Sequence, residues 1–158
     1  MTKIPSNSSE EKLINKAFNY HGQGKILKAA ECYQLLINQG YKDHRVFCNF
    51  GSILRSFGKF REAELYQRKA IKYKPDYANA YYNLGNILRD LGNLEEAELS
   101  TRKAIQLNPN SAEAHLNLGK ILKDIGNLKE AEFSTRKAIK LNSNFAEAHL
   151  NLGTILKD

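Results

Sequence analysis

The chain has 158 residues, 42% hydrophobic and 26% charged, with 24 basic against 17 acidic side chains and a formal net charge of +7. That length suits one domain, and no apolar run nears the ~18 residues of a membrane-spanning helix, so a soluble chain with no membrane partner is expected. Cys32 and Cys48 are the only cysteines, which excludes a disulfide scaffold and points to two reduced thiols in a cytoplasmic protein.

Residues 1–9 hold one lysine and no apolar block, so no secretory signal of the usual form is expected there and the segment reads as flexible. Ser8 followed by Glu11 has capping-box spacing and predicts the start of a first helix. From Glu10 onward the chain is an array of 34-residue copies, a period that decides the architecture before any local reading. Glu10–Asp43 carries the pattern loosely, through Ala17, Gly24, Ala29 and Glu31. In His44–Tyr77, Phe50-Gly51, Gly58, Glu62-Ala63 and Lys69-Ala70-Ile71 fall on schedule. Ala78–Ser111 and Ala112–Phe145 are identical at 23 of 34 positions, and Ala146–Asp158 begins a fifth copy that stops partway.

Each full copy predicts two helices. In the third, Leu84, Ile87, Leu88 and Leu91 recur at three- and four-residue steps, the mark of an amphipathic helix. Gly92-Asn93 breaks that run, and a second run through Leu94, Ala97, Ala104, Ile105 and Leu107 closes at Asn108-Pro109-Asn110. Pro75 and Pro109 stand where a helix must stop. Small residues recur in register: Gly51, Gly85, Gly119 and Gly153; Ala63, Ala97 and Ala131; Ala70, Ala104 and Ala138. A mid-helix glycine costs about 1 kcal/mol against alanine, so four of them in register imply that a Cβ there would push a paired helix away.

These residues resemble the tetratricopeptide repeat (TPR) family, whose 34-residue unit places Leu-Gly in the first helix and two alanines in the second. Here those markers are Leu84-Gly85, Ala97 and Ala104, then Leu118-Gly119, Ala131 and Ala138, with Phe50-Gly51, Ala63 and Ala70 in the second copy. The chain departs from the family where an early aromatic, Phe47 and Tyr81 in two copies, becomes His115 and His149. It departs again where the aromatic midway through the second helix, Tyr33 in the first copy, becomes Gln67, Thr101 and Thr135, and where the closing proline becomes Ser143. The resemblance implies an all-α, right-handed α-solenoid of stacked helix-turn-helix units with a concave and a convex face. It also implies a module that binds an extended or helical peptide or a partner protein along its first helices.

No catalytic constellation stands out, and the sequence calls for no cofactor. His115 and His149 are one repeat apart, ~10 Å in stacked helices, too far to share a metal, and a core or half-buried role is expected for both. Cys32 and Cys48 lack a CxxC or a nearby ligand histidine. Gly22-Gln23-Gly24-Lys25 lacks the rest of a phosphate loop and reads as a turn between helices. Glu95-Glu96 opens a second helix, where negative charge complements the helix dipole.

One polar row is sharper. Asn15, Asn49, Asn83, Asn117 and Asn151 recur once per copy, although Asn is a mediocre helix former. An Asn side chain offers a donor and an acceptor, the pairing a peptide backbone presents in reverse. The row is similar to the asparagine ladder in the TPR arm of O-linked N-acetylglucosamine transferases, which implies that Asn49, Asn83, Asn117 and Asn151 bind a peptide. The alternative is that each Asn bonds a neighbouring helix and stabilises the stack. Six residues after each Asn stand His21, Arg55, Arg89, Lys123 and Lys157, on another azimuth of the helix. Arg55, Arg89 and Lys123 are candidate contacts for an acidic peptide, with Asp90, Asp124 and Asp158 beside the row as partial neutralisers. The carboxylate clamp of chaperone-binding TPR proteins needs a lysine just before the ladder Asn, and Ile14, Cys48, Tyr82, Leu116 and Leu150 stand there instead.

A protein-interaction scaffold is therefore the leading reading and a non-enzyme is expected. The alternatives are the substrate-recruiting arm of a larger group-transferring enzyme and, less favoured, an RNA binder. Against RNA, the basic surplus sits mainly in the second copy, with Arg45, Arg55, Lys59, Arg61, Arg68, Lys69, Lys72 and Lys74 against Glu62, Glu64 and Asp76. Arg68-Lys69, Arg102-Lys103 and Arg136-Lys137 sit late in second helices, where they complement the dipole. Leu150, Leu152, Ile155 and Leu156 have no following helix to cover them, so self-association through the last helix is a further expectation.

Overall fold

A computed structural model of the chain describes residues 8–157, the side chains of Ser8 and Ser9 excepted. The flexible segment expected over residues 1–9 and the cap expected from Ser8 thus lie outside the described residues, although the first helix does begin at Ser8. Among the described residues the chain is an all-α solenoid of helical repeats. The helices are α1 (Ser8–Gly22), α2 (Ile26–Asn38), α3 (His44–Ser56), α4 (Phe60–Tyr73), α5 (Ala78–Asp90), α6 (Leu94–Leu107), α7 (Ala112–Ile125), α8 (Leu128–Leu141) and α9 (Ala146–Ile155). No helix among the described residues is long and apolar enough to cross a membrane.

Helices α1–α4 form one compact unit and α5–α9 a second. In the first, α1 pairs with α2, α3 with α4, and α2 packs on α3. Asp43 starts α3 by accepting from the Arg45 backbone N–H at 2.7 Å, the ordinary N-cap device. Ala17, Ala29, Leu36, Val46 and Ala63 are fully buried. Phe47 stacks on Tyr73 and Tyr66 with ring centroids 5.4 and 6.2 Å apart, and Phe50 meets Tyr66 edge-on at 4.9 Å.

In the second unit α5 pairs with α6 and α7 with α8, α7 lies beside α5, and α9 packs on both α7 and α8. Ile87, Leu88, Ile121 and Leu122 are all but sealed from solvent, each contributing about 1.5–3 kcal/mol by leaving water. Ser111 caps α7 by accepting from the Ala114 N–H at 3.1 Å, and Asn127 caps α8. Gly126 takes φ +91° as the left-handed residue that ends α7. The end of α8 manages without the proline of earlier copies. The Asn142 side chain accepts from the Asn144 N–H at 3.2 Å and turns the chain in its place.

Two expectations need correction here. Of the apolar residues in α9, Ile155 is buried against Leu118, Leu122 and Ala131, because α9 lies in the notch between α7 and α8. Leu150 and Leu156 are the large side chains left exposed there. His115 is half-buried as expected, but His149 is exposed. Both rings bond a carbonyl six residues back, His115 Nε2 to Pro109 at 3.0 Å and His149 Nε2 to Ser143 at 2.8 Å. They tie each first helix to the loop before it; they do not fill the core.

Candidate functional site

Each asparagine of the row stands on a first helix, and three of them reach back to the second helix of the preceding copy. Asn49 Nδ2 donates to the Tyr33 hydroxyl at 3.2 Å, Asn117 Nδ2 to Thr101 Oγ1 at 3.1 Å, and Asn151 Nδ2 to Thr135 Oγ1 at 2.9 Å, always 16 residues back. The accepting hydroxyl sits where a glycine leaves room for it. A Cβ on Gly85 would stand 2.2 Å from Thr101 Oγ1 and 3.2 Å from the Ala97 carbonyl oxygen. On Gly119 the distances are 2.3 Å to Thr135 Oγ1 and 3.1 Å to the Ala131 oxygen. Thr135 passes the bond on, donating to the Ala131 carbonyl at 2.8 Å. Glycine, threonine and the next copy's asparagine thus form one relay.

The same position varies in the first unit. Tyr33 fills it opposite Ala17, and burial pushes its phenol up to about 12 against the lowering effect of the Asn49 bond. Tyr33 therefore stays a neutral hydroxyl that also meets His21 Nδ1 at 3.3 Å. Burial lowers the pKa of that histidine. Gln67 fills the position in the second copy, its Nε2 donating to the Cys48 carbonyl at 2.9 Å. Gln67 Oε1 and Asn117 Oδ1 are buried with no hydrogen-bond partner among the described residues.

Tyr33, Thr101 and Thr135 were the partners sequence reasoning missed, and Gln67, at the same position, bonds the Cys48 carbonyl instead. Their signal was available: Tyr33, Gln67, Thr101 and Thr135 put a hydrogen-bonding side chain 16 residues before an asparagine in every full copy. Asn117 and Asn151 are 3% and 7% exposed, so their amides are turned into the stack. Asn49 and Asn83 are half-buried on α3 and α5.

The basic row lies closer to solvent. Arg89 Nε donates to Asp124 Oδ2 at 2.6 Å, across from α5 to α7. Lys123 Nζ donates to Thr154 Oγ1 on α9 at 3.2 Å. Lys120 pairs with Glu147. These side chains converge: Arg89, Lys120, Lys123, Glu147, Leu150, Asn151 and Thr154 line one hollow across α5, α7 and α9. Three of the seven residues predicted to bind peptide, Arg89, Lys123 and Asn151, meet there. Asn83 and Asn117 do not line it, and Asn49 and Arg55 belong to α3 of the first unit. The hollow offers cationic donors, a hydroxyl and a 71% exposed leucine, groups that suit a side chain carrying a carboxylate beside an apolar neighbour. Among the described residues no group of His, Cys, Asp and Glu is arranged to hold a metal ion. Cys32 and Cys48 are buried and form no disulfide.

A tetratricopeptide repeat family model matches residues 78–111, and two further TPR models match residues 51–92 and 101–133. No curated protein sequence matches the chain. Among solved structures the chain is similar to MamA (residues 41 to the end) from Desulfovibrio magneticus RS-1, with TM-score 0.83 and 19% identity over 94% of this chain and 84% of that one. It is similar to YrrB, described as a TPR protein with an unusual peptide-binding site, with TM-score 0.79 and 19% identity over 92% and 75%. It is also similar to the first TPR of Spaghetti (RPAP3) bound to an HSP90 peptide, with TM-score 0.70 and 23% identity over 72% and 90%. At such identities the likeness speaks for the fold alone.

Proposed function

The chain belongs to the tetratricopeptide repeat family, and on that premise we propose that it is a non-enzymatic protein-interaction scaffold that binds an acidic segment of a partner along its first helices. The observation that carries this reading is the hollow across α5, α7 and α9, where Arg89, Lys120 and Lys123 gather around Leu150, Asn151 and Thr154. Two similar structures whose descriptions name a peptide or a peptide-binding site support the class of ligand. Lys123 is the cation most open to exchange, since it spends its bond on a hydroxyl where Arg89 and Lys120 each have a carboxylate. An acidic side chain of a bound peptide would take Thr154's place as its partner and extend over Leu150.

The asparagines join this reading in two ways. The amides of Asn49, Asn117 and Asn151 hold successive copies together, and in this proposal the half-buried Asn83 meets the peptide backbone beside Arg89 in the second unit, as Asn49 does beside Arg55 within the first. A cytoplasmic setting fits two buried cysteines that form no disulfide. The chain would serve equally as a recruiting arm within a larger enzyme, since the same hollow would then hold the substrate protein. Fluorescence anisotropy with acidic, neutral and basic peptides of equal length tests the proposal. The acidic peptide should bind, with affinity reduced at least tenfold by Lys123→Glu and by Arg89→Glu. Equal binding of all three peptides, or binding to a single-stranded oligonucleotide that falls steeply with salt, would overturn it.

A further inference from the structure

The second helices carry an apolar row that the fold does not use. Leu65 on α4, Leu99 on α6 and Phe133 on α8 stand in one register of the repeat and are 51%, 69% and 75% exposed. A solvated helix position has no reason to hold a large apolar group in three copies, and exposed apolar groups that recur in register mark an interaction surface. Each is bracketed by the same ion pair: Glu64 with Arg68 at 2.9 Å, Glu98 with Arg102 at 2.8 Å, and Glu132 with Arg136 at 2.9 Å. Arg102 also reaches Glu130 at 2.6 Å, so in the second unit α6 and α8 carry Leu99 and Phe133 on one bridged face.

The charges on that face are largely sorted. Glu95, Glu98, Glu130 and Glu132 lie toward the starts of α6 and α8, with Lys129 among them, whereas Arg102, Arg136 and Lys140 lie toward their ends, with Leu99 and Phe133 at the seam. A surface divided into an acidic half, an apolar seam and a basic half matches itself. Rotated by half a turn about the seam, a second copy lays its acidic half on the basic half of the first and its leucine and phenylalanine against their equivalents. That is the requirement of an isologous interface. We propose that the outer face of α6 and α8 is a homodimerisation surface, distinct from the peptide-binding hollow on α5, α7 and α9. Uniformly anionic partners, membranes or nucleic acid included, are disfavoured because half of the face repels them.

Sedimentation velocity of the full chain across a wide concentration range tests this. The wild type should show a concentration-dependent dimer, weakened at least tenfold by Leu99→Gln with Phe133→Gln and unaffected by Leu156→Glu on the exposed end of α9. The charge arrangement gives a sharper test. Glu98→Arg with Glu132→Arg should be monomeric alone, as should Arg102→Glu with Arg136→Glu, and the two mixed should form a heterodimer. Circular dichroism identifies any variant that fails to fold, in which case the remaining pair and the wild-type concentration series still decide. A wild type that stays monomeric throughout, whether or not it binds anionic vesicles or another protein, would overturn the proposal. So would a dimer that persists when the seam is made polar.

Discussion

Asn151 on α9 donates to Thr135 on α8 at 2.9 Å, and the threonine occupies the space that Gly119 on α7 leaves by having no side chain. One residue type in each of three helices is thereby explained by the other two. Asn117, Thr101 and Gly85 repeat the arrangement one copy earlier, so the bond between copies and the close packing within a copy are a single device.

The glycines give the first prediction, in which one repeat position yields opposite signs. Gly119→Ala forces a Cβ against Thr135 Oγ1 and the Ala131 carbonyl, and the overpacking should cost about 1–3 kcal/mol. Gly153→Ala meets nothing within 4 Å and should instead stabilise α9 by up to about 1 kcal/mol through helix propensity. Urea denaturation of both variants checks the pair; two losses of equal size would contradict it.

The relay predicts a coupling. Asn117→Ala and Thr101→Val should each destabilise by about 1 kcal/mol, and together by less than their sum, with a coupling of about 0.5–1.5 kcal/mol in a double-mutant cycle. Additive losses would mean that the 3.1 Å bond contributes nothing between the copies.

The repeat period, the two helices per copy and their ends at Gly92 and Pro109 were legible in the sequence because they follow from local chemistry: periodic apolar spacing, a residue free to take positive φ, and a residue without an N–H. The partner of each asparagine was not. It lies 16 residues back on another helix, and nothing short of the packed structure tells whether a mid-helix amide turns inward to Thr101 or outward to a ligand. The exposed row of Leu99 and Phe133 was hidden for the opposite reason. An apolar residue in an amphipathic helix reads as core by its type, and only its azimuth beside the buried Ala97, Ser100 and Ala131, Ser134 assigns it to solvent.

Acid should loosen the first unit in two stages. Burial opposes ionisation of Asp43, but its bonds to the Arg45 guanidinium and N–H outweigh that and hold its carboxyl below the ordinary 3.8. A lowered folded value stabilises above 3.8 and is lost as the pH falls through it, so the α3 cap fails only in strong acid. His21 is lowered from 6.5 by burial, so its contribution is complete above 6.5 and is lost first, as the pH falls below that value. Asp43→Ala should cost about 1 kcal/mol at neutral pH and nothing once the carboxyl is protonated. Thermal midpoints measured from pH 8 down into strong acid, well below 3.8, check both stages.

Arg102 bonds both Glu98 and Glu130, yet it lies on the surface, where such pairs are worth about 0–1 kcal/mol. Arg102→Ala should therefore leave the denaturation midpoint nearly unchanged while altering association at high protein concentration. A large loss of stability would mean that this pair holds α6 to α8, and that the sorted charges serve the fold of one chain.

The most direct test of the account is a two-dimensional amide NMR titration of the chain with an acidic peptide. Shifts centred on Arg89, Lys123, Asn151 and Thr154, and abolished by Lys123→Glu, are predicted. Shifts confined to α6 and α8, or unchanged by that substitution, would contradict the assignment of the α5, α7 and α9 hollow as the binding site.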